Sequence, residues 1–205
     1  IEQDDEIRIV LVTGAGEKAF VAGADIKEFP SLMEKKEMGA VMKFTNESHK
    51  MFNTLANLSK PTIAVIHGLA LGGGCELALA CDFRIASNKS QLGLPEIKLG
   101  VYPGGGGTQR LPRLIGTSKA KELMFLGDFI SAEEAYRIGL VNMVTSEDEL
   151  MDKAMEFANK LADRPGFTLK LIKQLVNRGT EVSLEEGLRL EADLFEYAFS
   201  SEDAR

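Results

Sequence analysis

The sequence has no long hydrophobic run, no excess of positive charge and no secretory signal region. Its longest apolar stretch, residues 63–71, is interrupted by His67 and Gly68 and is far shorter than the roughly 18 residues of a membrane-spanning helix. The 24 Lys and Arg are outnumbered by 31 Asp and Glu, a net charge of −7, which removes the overall attraction that most nucleic-acid-binding domains use. We expect a cytoplasmic protein with no membrane span and no nucleic-acid partner.

Cysteine is scarce, and the common metal and hydrolase motifs are missing. Cys75 and Cys81 are the only thiols, and no further Cys or His pair lies at ligand spacing, which favours a reducing compartment and no zinc site. Neither a G-x-S-x-G elbow nor an H-E-x-x-H segment occurs, so the commonest signatures of serine hydrolases and zinc proteases are absent. We therefore expect no metal.

The residues that are present indicate an ordinary globular domain of the α/β class. The composition, 44% hydrophobic and 27% charged, is close to the globular average. Nearly continuous apolar runs at residues 8–13, 62–66 and 83–86 predict buried strands, and a helical pattern covers 31–58. Residues 93–107 hold six glycines and two prolines and are predicted to be irregular. This alternation of strand and helix predicts α/β architecture with parallel strands.

The second part of the chain has a mainly helical pattern. Ser131 and Ser183 each stand three residues before a glutamate, a capping box that begins a helix. Gly139 is predicted to end the first of these helices. Further helices are predicted at 147–163, 167–178 and 184–199.

The last predicted helix has an apolar side. Such a side packs either on its own domain or on a partner subunit, and the sequence leaves both open. We divide the chain into a core, residues 1–130, and a helical C-terminal region, residues 131–205. The apolar side consists of Leu188, Leu194, Phe195 and Phe199.

Three glycine-rich segments suggest different functions. Residues 14–19 fit the dinucleotide fingerprint G-x-G-x-x-A, but an apolar run that returns to Gly23 follows in place of a long helix, which argues against a nicotinamide site. Residues 67–74 are predicted to form a glycine-rich turn, and residues 68–74 lack the Lys-Ser/Thr pair that a Walker phosphate loop requires. Residues 104–107 form a third segment, whose amides are candidates for contact with a water molecule or with Glu96.

The glycines of two turns are suited to expose backbone amides. Gly72, Gly73 and Gly74 lie between a buried strand and a helix predicted at 75–81, where unpaired N–H groups and the helix dipole favour negative charge. Residues 23–26 form a second glycine turn after an apolar run. Two such turns either supply one amide each to a single oxygen, as in an oxyanion hole, or simply pack strand against helix.

Two carboxylates stand close to these glycine turns in unusually apolar surroundings. Glu76 is followed by Leu77 and Ala78 in the predicted helix, and Glu96 lies between Pro95 and Ile97. Two acids on separate elements, each flanked by apolar residues, suit a paired general acid and base. The alternatives are a helix N-terminal charge for Glu76 and a solvated loop carboxylate for Glu96.

Five segments together resemble the enoyl-CoA hydratase branch of the crotonase superfamily, in order and over essentially the whole chain. The resemblance implies a crotonase-like ββα spiral core and a C-terminal helical region that mediates trimers, which often pair into hexamers. Members of that family continue beyond both ends of this sequence, so we expect a chain shortened at both ends. The five segments are residues 18–27, 67–78, 94–100, 103–111 and 131–141.

The resemblance also implies roles for individual residues. The amides of Ala24 and Gly73 fall at the oxyanion hole for the thioester carbonyl of an acyl-CoA, and Glu76 and Glu96 fall at the two catalytic acids. Coenzyme A enters as part of the substrate, and no other cofactor is implied. The residues implied to bind coenzyme A are Lys18, Ala22, Ala24, Asp25, Ile26 and Lys27, with the two lysines near its phosphates.

The expected activity is hydration of a 2-enoyl-CoA to a 3-hydroxyacyl-CoA, as in fatty-acid or branched-chain acyl-CoA degradation. An enoyl-CoA isomerase of the same family is one alternative, although isomerases usually keep only the acid at the Glu96 position. A methylglutaconyl-CoA hydratase with RNA-binding side activity is another. Lys36, Lys43 and Lys50 recur every seven residues, but the acidic net charge opposes contact with RNA phosphates.

Overall fold

The computed structural model describes residues 1–23 and 38–201. Within these ranges the chain forms short strands that alternate with helices. The strands are β1 (Val10–Thr13), β2 (Ala19–Val21), β3 (Thr62–Ile66), β4 (Leu69–Leu71), β5 (Phe83–Ser87), β6 (Gln91–Gly93), β7 (Ile130–Ser131) and β8 (Met143–Thr145). The helices are α1 (Met38–Ala56), α2 (Gly73–Ala80), α3 (Gly107–Ile115), α4 (Thr117–Leu126), α5 (Ala132–Arg137), α6 (Leu150–Ala162), α7 (Gly166–Gly179) and α8 (Leu184–Phe199), with a 3₁₀ helix at Pro95–Leu99.

The strands form two sheets that the chain visits in turn. One sheet has the order β1-β3-β5-β8 and is parallel throughout, whereas the other has the order β2-β4-β6-β7 and is parallel except for the β6–β7 pair. Each pair β1–β2, β3–β4 and β5–β6 therefore places one strand in each sheet, and α1, α2 or the 3₁₀ helix follows. This repetition is a ββα spiral, and it confirms the α/β class with parallel strands.

Strand β3 lies at the centre of the core because its sequence is apolar on both sides. All five of its residues are buried, and its two faces contribute to different apolar clusters. Ala64 and Ile66 join the cluster that includes α2 and β4, and Ile63 and Val65 pack toward α6. A strand buried on both faces is typical of parallel sheets covered on both sides. Helix α2 contacts strands β2 and β4 and helices α1 and α3.

Several predicted elements lie where the sequence places them. Strand β3 and helix α8 have the predicted bounds, and α1 ends before Pro61 as expected. The Ser131 and Ser183 hydroxyls each accept a hydrogen bond, of 3.2 Å, from the amide of the glutamate three residues on. Both capping predictions are confirmed.

Two predictions about glycine-rich segments are wrong in part. Residues 67–74 contain strand β4, because Leu69–Leu71 pairs with β2 on one side and β6 on the other. Residues 93–107 contain the 3₁₀ helix that begins at Pro95 and ends at Gly100, whose φ is 74°. Proline is favoured in the first turn of a helix and glycine just after its end, so the four residues between Pro95 and Gly100 suffice for a short 3₁₀ helix.

The C-terminal helices leave apolar side chains uncovered. Helix α8 contacts α7, but Phe195 is 67% exposed and Phe199 is 76% exposed. Strand β8 belongs to the first sheet, and the division of the chain after residue 130 stays a prediction. Within residues 1–23 and 38–201, no helix is long and apolar enough to cross a membrane.

Candidate active site

Glu76 lies in the first turn of α2, beneath a glycine loop. Its side chain is only 4% exposed, and its Oε1 accepts hydrogen bonds from the amides of Gly105, at 2.7 Å, and Gly107, at 2.8 Å. Gly72 is the N-cap of this helix, and its φ of 54° and ψ of −124° suit a residue without a Cβ. Glu76 is thus a buried acid with two main-chain donors on one oxygen, and its other oxygen accepts no hydrogen bond from the described residues.

Opposing effects act on the pKa of Glu76. Burial is the largest and raises the pKa, because it penalises the charged form. The two amides, then the charges of Arg110 and His49, favour the carboxylate and lower it, and the net shift is upward. A carboxylate that is desolvated but held by main-chain donors is a suitable general base.

The loop donors approach Glu76 closely because they are glycines. A Cβ at Gly105 would lie 2.5 Å from Cε2 of Phe52 and 2.6 Å from Oε2 of Glu76. A Cβ at Gly107 would lie 2.9 Å from Cβ of Pro103 and 3.0 Å from Oε1 of Glu76. A water molecule or Glu96 is the candidate acceptor that the sequence suggests for this loop, whereas in the structure the amides of Gly105 and Gly107 donate to Glu76.

Glu96 lies in the 3₁₀ helix and has a different environment. Its Oε2 is buried and has no hydrogen-bond partner among the described groups. Burial, with a smaller contribution from the charge of Glu76, raises the pKa of Glu96 to about 7. A Cβ at Gly72 would lie 3.2 Å from Oε1 of Glu96, so the acid reaches the beginning of α2. Both predicted acids therefore approach the N-terminal end of the same helix.

Gly73 is the first residue of α2, and its amide is at a position with no acceptor inside the helix. The neighbouring Gly74 lies directly against the carbonyl of Val21, where any Cβ would overlap that oxygen. This contact fixes the beginning of α2 against the end of β2, from which the chain leads toward Ala24. Ala24 itself lies outside the described residues, and the oxyanion hole of Ala24 and Gly73 stays a prediction.

The predicted coenzyme A residues are described only in part. Lys18 and Ala22 are exposed and flank β2. The carbonyl of Lys18 lies against Gly68, whose φ is 56° and whose Cβ would overlap it. Asp25, Ile26 and Lys27 lie outside the described residues, like Ala24. The role of this set in coenzyme A binding stays a prediction.

Some residues near the acids are not indicated by any sequence pattern. Arg110 on α3 hydrogen-bonds the carbonyl of Gly105 and the side chain of Asn53 on α1. The ring of Phe52 is buried against the same loop. His67, which no described hydrogen bond joins to either acid, accepts a bond at its carbonyl from the amide of Phe20, and its Nε2 is buried without a described partner. Helical spacing places positions 49, 52 and 53 on one side of α1, but it does not indicate that this side faces the acids.

Comparisons with known proteins match the whole chain. The family model described as enoyl-CoA hydratase/isomerase covers residues 1–205. The "Short-chain-enoyl-CoA hydratase" of Clostridium acetobutylicum is 48% identical over 100% of this chain and 77% of its own length. The "Crotonyl-CoA hydratase" of Syntrophomonas wolfei is 41% identical over the same shares.

A solved structure shows the same fold. The crystal structure of enoyl-CoA hydratase from Bacillus anthracis is 44% identical, with a TM-score of 0.93 over 100% of this chain and 78% of that one. The α/β fold class with the crotonase-like core expected from the sequence is thereby confirmed. Since the family model spans every residue and relatives far above 30% identity cover the chain from end to end, this protein belongs to the enoyl-CoA hydratase/isomerase family.

Proposed function

We propose that the protein adds water across the double bond of a 2-enoyl-CoA to give a 3-hydroxyacyl-CoA, with Glu76 as the general base and Glu96 as the general acid. The observation that carries this proposal is the contrast between the two carboxyl groups. Glu76 is an acceptor of two main-chain hydrogen bonds, whereas Glu96 has an unpartnered buried oxygen and a pKa of about 7.

This contrast assigns the two roles. Hydrogen bonds from amides stabilise a charged carboxylate, so Glu76 holds its charge more readily and accepts a proton from water. Glu96 is held by desolvation in its neutral form until about pH 7 and donates a proton. Pairs of acids whose environments separate their pKa values commonly divide the work of acid and base in this way.

The first step is attack of water on the substrate. Glu76 takes one proton from the water as its oxygen bonds to Cβ of the enoyl group, and the π electrons move toward the thioester carbonyl. The Gly73 amide, together with the Ala24 amide that the family resemblance implies, stabilises the negative charge on that oxygen. One such donor is typically worth about 3–4 kcal/mol of transition-state stabilisation.

The second step completes the addition of one water molecule. Glu96 gives its proton to Cα as the enolate charge returns from the carbonyl oxygen. Glu76 is then protonated and Glu96 is ionised, and the transfer of one proton between them through solvent restores the starting state. No electrons are gained or lost, so the reaction needs no redox partner, and coenzyme A takes part only as the carrier of the acyl group.

The names of the relatives support a short acyl chain. We take crotonyl-CoA as the first substrate because the two most informative relatives are named for short-chain and crotonyl thioesters. Lys18, exposed beside β2, and Lys27 are proposed to meet the phosphates of coenzyme A, with Ala22 and residues 24–26 along the remainder of that moiety.

Hydration is favoured over isomerisation by the state of Glu76. Double-bond isomerisation moves a proton from one carbon to another and needs only one acid–base group in this family, the one at Glu96. The second carboxylate, Glu76, is 4% exposed and held by two amides, and isomerisation gives it no role. Hydration does, because a water molecule must be activated.

The exposed apolar side of α8 supports assembly into a trimer, with hexamers as pairs of trimers. Phe195 and Phe199 are largely exposed in the single chain, and large exposed apolar patches mark contact sites. Light scattering coupled to gel filtration tests the assembly. A wild-type protein that stays monomeric at micromolar concentration contradicts it.

The activity test follows the loss of the conjugated enoyl-thioester absorbance with crotonyl-CoA. Glu76→Gln is expected to lower kcat by roughly 10²- to 10⁴-fold, the usual contribution of a general base. Glu185→Gln, which changes an exposed glutamate of α8, is the matched control and is expected to retain wild-type activity. Full activity in Glu76→Gln would sink the two-acid mechanism.

A further inference from the structure

We propose that Arg110 is a positioning residue for the Glu76 base. Its guanidinium joins the glycine loop to α1 and so fixes the two amides that hold the carboxylate. This inference rests on the proposed function, because it explains how the base of that reaction is kept in place. Arg110 itself is not expected to touch the substrate.

The first line of support is the hydrogen-bond geometry. Nη1 of Arg110 donates to the Gly105 carbonyl at 3.1 Å, and Nη2 donates to Oδ1 of Asn53 at 2.6 Å. The amide of Gly105 donates in turn to Glu76. The guanidinium therefore binds the carbonyl of Gly105, and Glu76 binds its amide. The peptide units on both sides of this residue are held in this way.

The second line of support is that the loop is shaped around this guanidinium. Gly106 has a φ of 110°, and a Cβ at that position would overlap Nη1 of Arg110. The backbone amides of Gln109 and Arg110 both donate to the Gly106 carbonyl, at 3.0 and 2.8 Å, so α3 begins directly on the loop. The planar fork of arginine can bind two acceptors in fixed geometry, which a lysine cannot do.

Arg110 also supplies charge at the site. The groups that act on Glu76 from neighbouring elements are Arg110 of α3 and His49 of α1, which favour the carboxylate, and Glu96 of the 3₁₀ helix, which is coupled to it by repulsion. Among the described residues, the hydrogen-bond partners of Arg110 are uncharged and no carboxylate forms a direct ion pair with it, so its positive charge acts on Glu76.

The two contributions can be separated by substitution. Arg110→Lys keeps the charge but loses the two-acceptor geometry. Arg110→Gln loses both, and Asn53→Ala removes one anchor from the exposed surface of α1. The matched control is Arg113→Gln on the same helix, since Arg113 is about half exposed and pairs with Glu181 at the surface.

The expected kinetic results differ among these variants. Arg110→Gln is expected to lower kcat by about 10²-fold, the scale of a small displacement of a catalytic group, with KM changed less than about threefold. Its acidic limb of kcat/KM is expected to move to higher pH, because loss of a positive charge raises the pKa of Glu76. Arg110→Lys should lower kcat but leave the acidic limb of kcat/KM at its wild-type pH. Asn53→Ala should lower kcat by less than Arg110→Gln does. Arg113→Gln should match the wild type in both.

A second readout does not depend on activity. Carbon NMR of protein labelled at the glutamate carboxyls, with the Glu76 signal assigned by its loss in Glu76→Gln, follows the titration of Glu76 directly. The Glu76 titration should move upward in Arg110→Gln and stay in place in Arg110→Lys. If the Glu76 titration shifts in Arg110→Gln but the wild type does not hydrate crotonyl-CoA, the proposed function is refuted and the inference that Arg110 positions Glu76 is supported. If the wild type is active but the Glu76 titration of folded Arg110→Gln is unshifted, the inference is overturned. An effect of Arg110→Gln that is confined to KM also overturns it.

Discussion

Glu76 and Gly105 are 29 positions apart in sequence, yet the carboxyl oxygen of one lies 2.7 Å from the amide nitrogen of the other. The contact leaves no room for a side chain on the loop, because a Cβ at Gly105 meets both Phe52 and Glu76. Glu76 and the loop that holds it are thus a single packed unit.

Gly105→Ala is expected to disturb this unit. The added methyl must displace the Phe52 ring or Glu76, at a cost of about 1–3 kcal/mol in the free energy of unfolding, and kcat for crotonyl-CoA should fall at least tenfold. Gly104→Ala is the control, since the nearest atom to its Cβ is Oγ1 of Thr45 at 4.0 Å. Equal kcat values in the two variants would show that the close contact is not needed.

The pH dependence of hydration should have an alkaline limb near neutrality. Glu96 must be protonated to donate, and burial raises its pKa to about 7. The value of kcat/KM is therefore expected to fall with rising pH above about 7, since it reports the free enzyme. Steady-state rates at subsaturating crotonyl-CoA measure this limb, and a profile that stays level up to pH 9 contradicts the assignment of Glu96 as the acid.

Glu96→Gln is expected to stabilise the fold while it lowers activity. The pKa of Glu96 is raised on folding, so the folded state binds more protons than the unfolded state between about pH 4.5 and 7, and stability falls as pH rises through that window. The amide side chain introduced by Glu96→Gln does not ionise, so the variant avoids this loss of stability at high pH. The gain at pH 8 should be on the order of 1–2 kcal/mol after allowance for solvent screening of the half-buried side chain.

Denaturant unfolding at pH 8 and pH 5 measures that difference. At pH 5 the wild-type acid is largely protonated, so the gain from Glu96→Gln should be much smaller there. A gain of the same size at both pH values would indicate a packing effect and not the removal of a buried charge.

Gly74→Ala is expected to separate α2 from β2. The methyl overlaps the Val21 carbonyl, which is backbone and cannot rotate away, so the free energy of unfolding should fall by about 3 kcal/mol, the upper end of overpacking costs. Activity should fall with it, because the Gly73 amide moves. Gly179→Ala, at the end of α7 with nothing within 4 Å of its Cβ, should be neutral or slightly stabilising. Thermal unfolding of both variants makes the comparison.

Lys18→Gln tests the coenzyme A contact. An exposed ion pair is worth about 0.2–1 kcal/mol, so KM for crotonyl-CoA should rise about twofold to fivefold while kcat stays near the wild-type value. The difference should shrink in high salt. Lys121→Gln, exposed on α4, serves as the control, and a KM effect of equal size in that variant would argue against a specific phosphate contact.

The sequence predicts the elements whose cause is local. Strand β3 is recognisable because five consecutive residues are apolar or small, and the hydroxyl of Ser183 marks the beginning of α8. Strand β4 is missed because three residues between glycines are too few to show the alternating pattern of a strand. They form one because they pair with β2 and β6.

The candidate acids are also predicted, but their partners are not. The apolar residues around Glu76 and Glu96 are visible in the sequence, since burial depends on neighbouring residue types. The donors to Glu76 come from 29 and 31 positions away, and glycine content does not say where an amide points. The bond between Arg110 and Asn53 spans 57 positions, for which a single sequence has no local signal.

The charge of Glu76 is balanced largely by main-chain groups of residues 105–107. In the proposed mechanism, side chains that do not contact this loop can therefore change without altering the hydrogen bonds to the Glu76 carboxylate. The loop is vulnerable in a different way: one inserted or deleted residue between Pro103 and Gly107 would shift both amides out of register with Oε1, even if each surrounding side chain were retained. Length is consequently the property of this loop that the chemistry tolerates least.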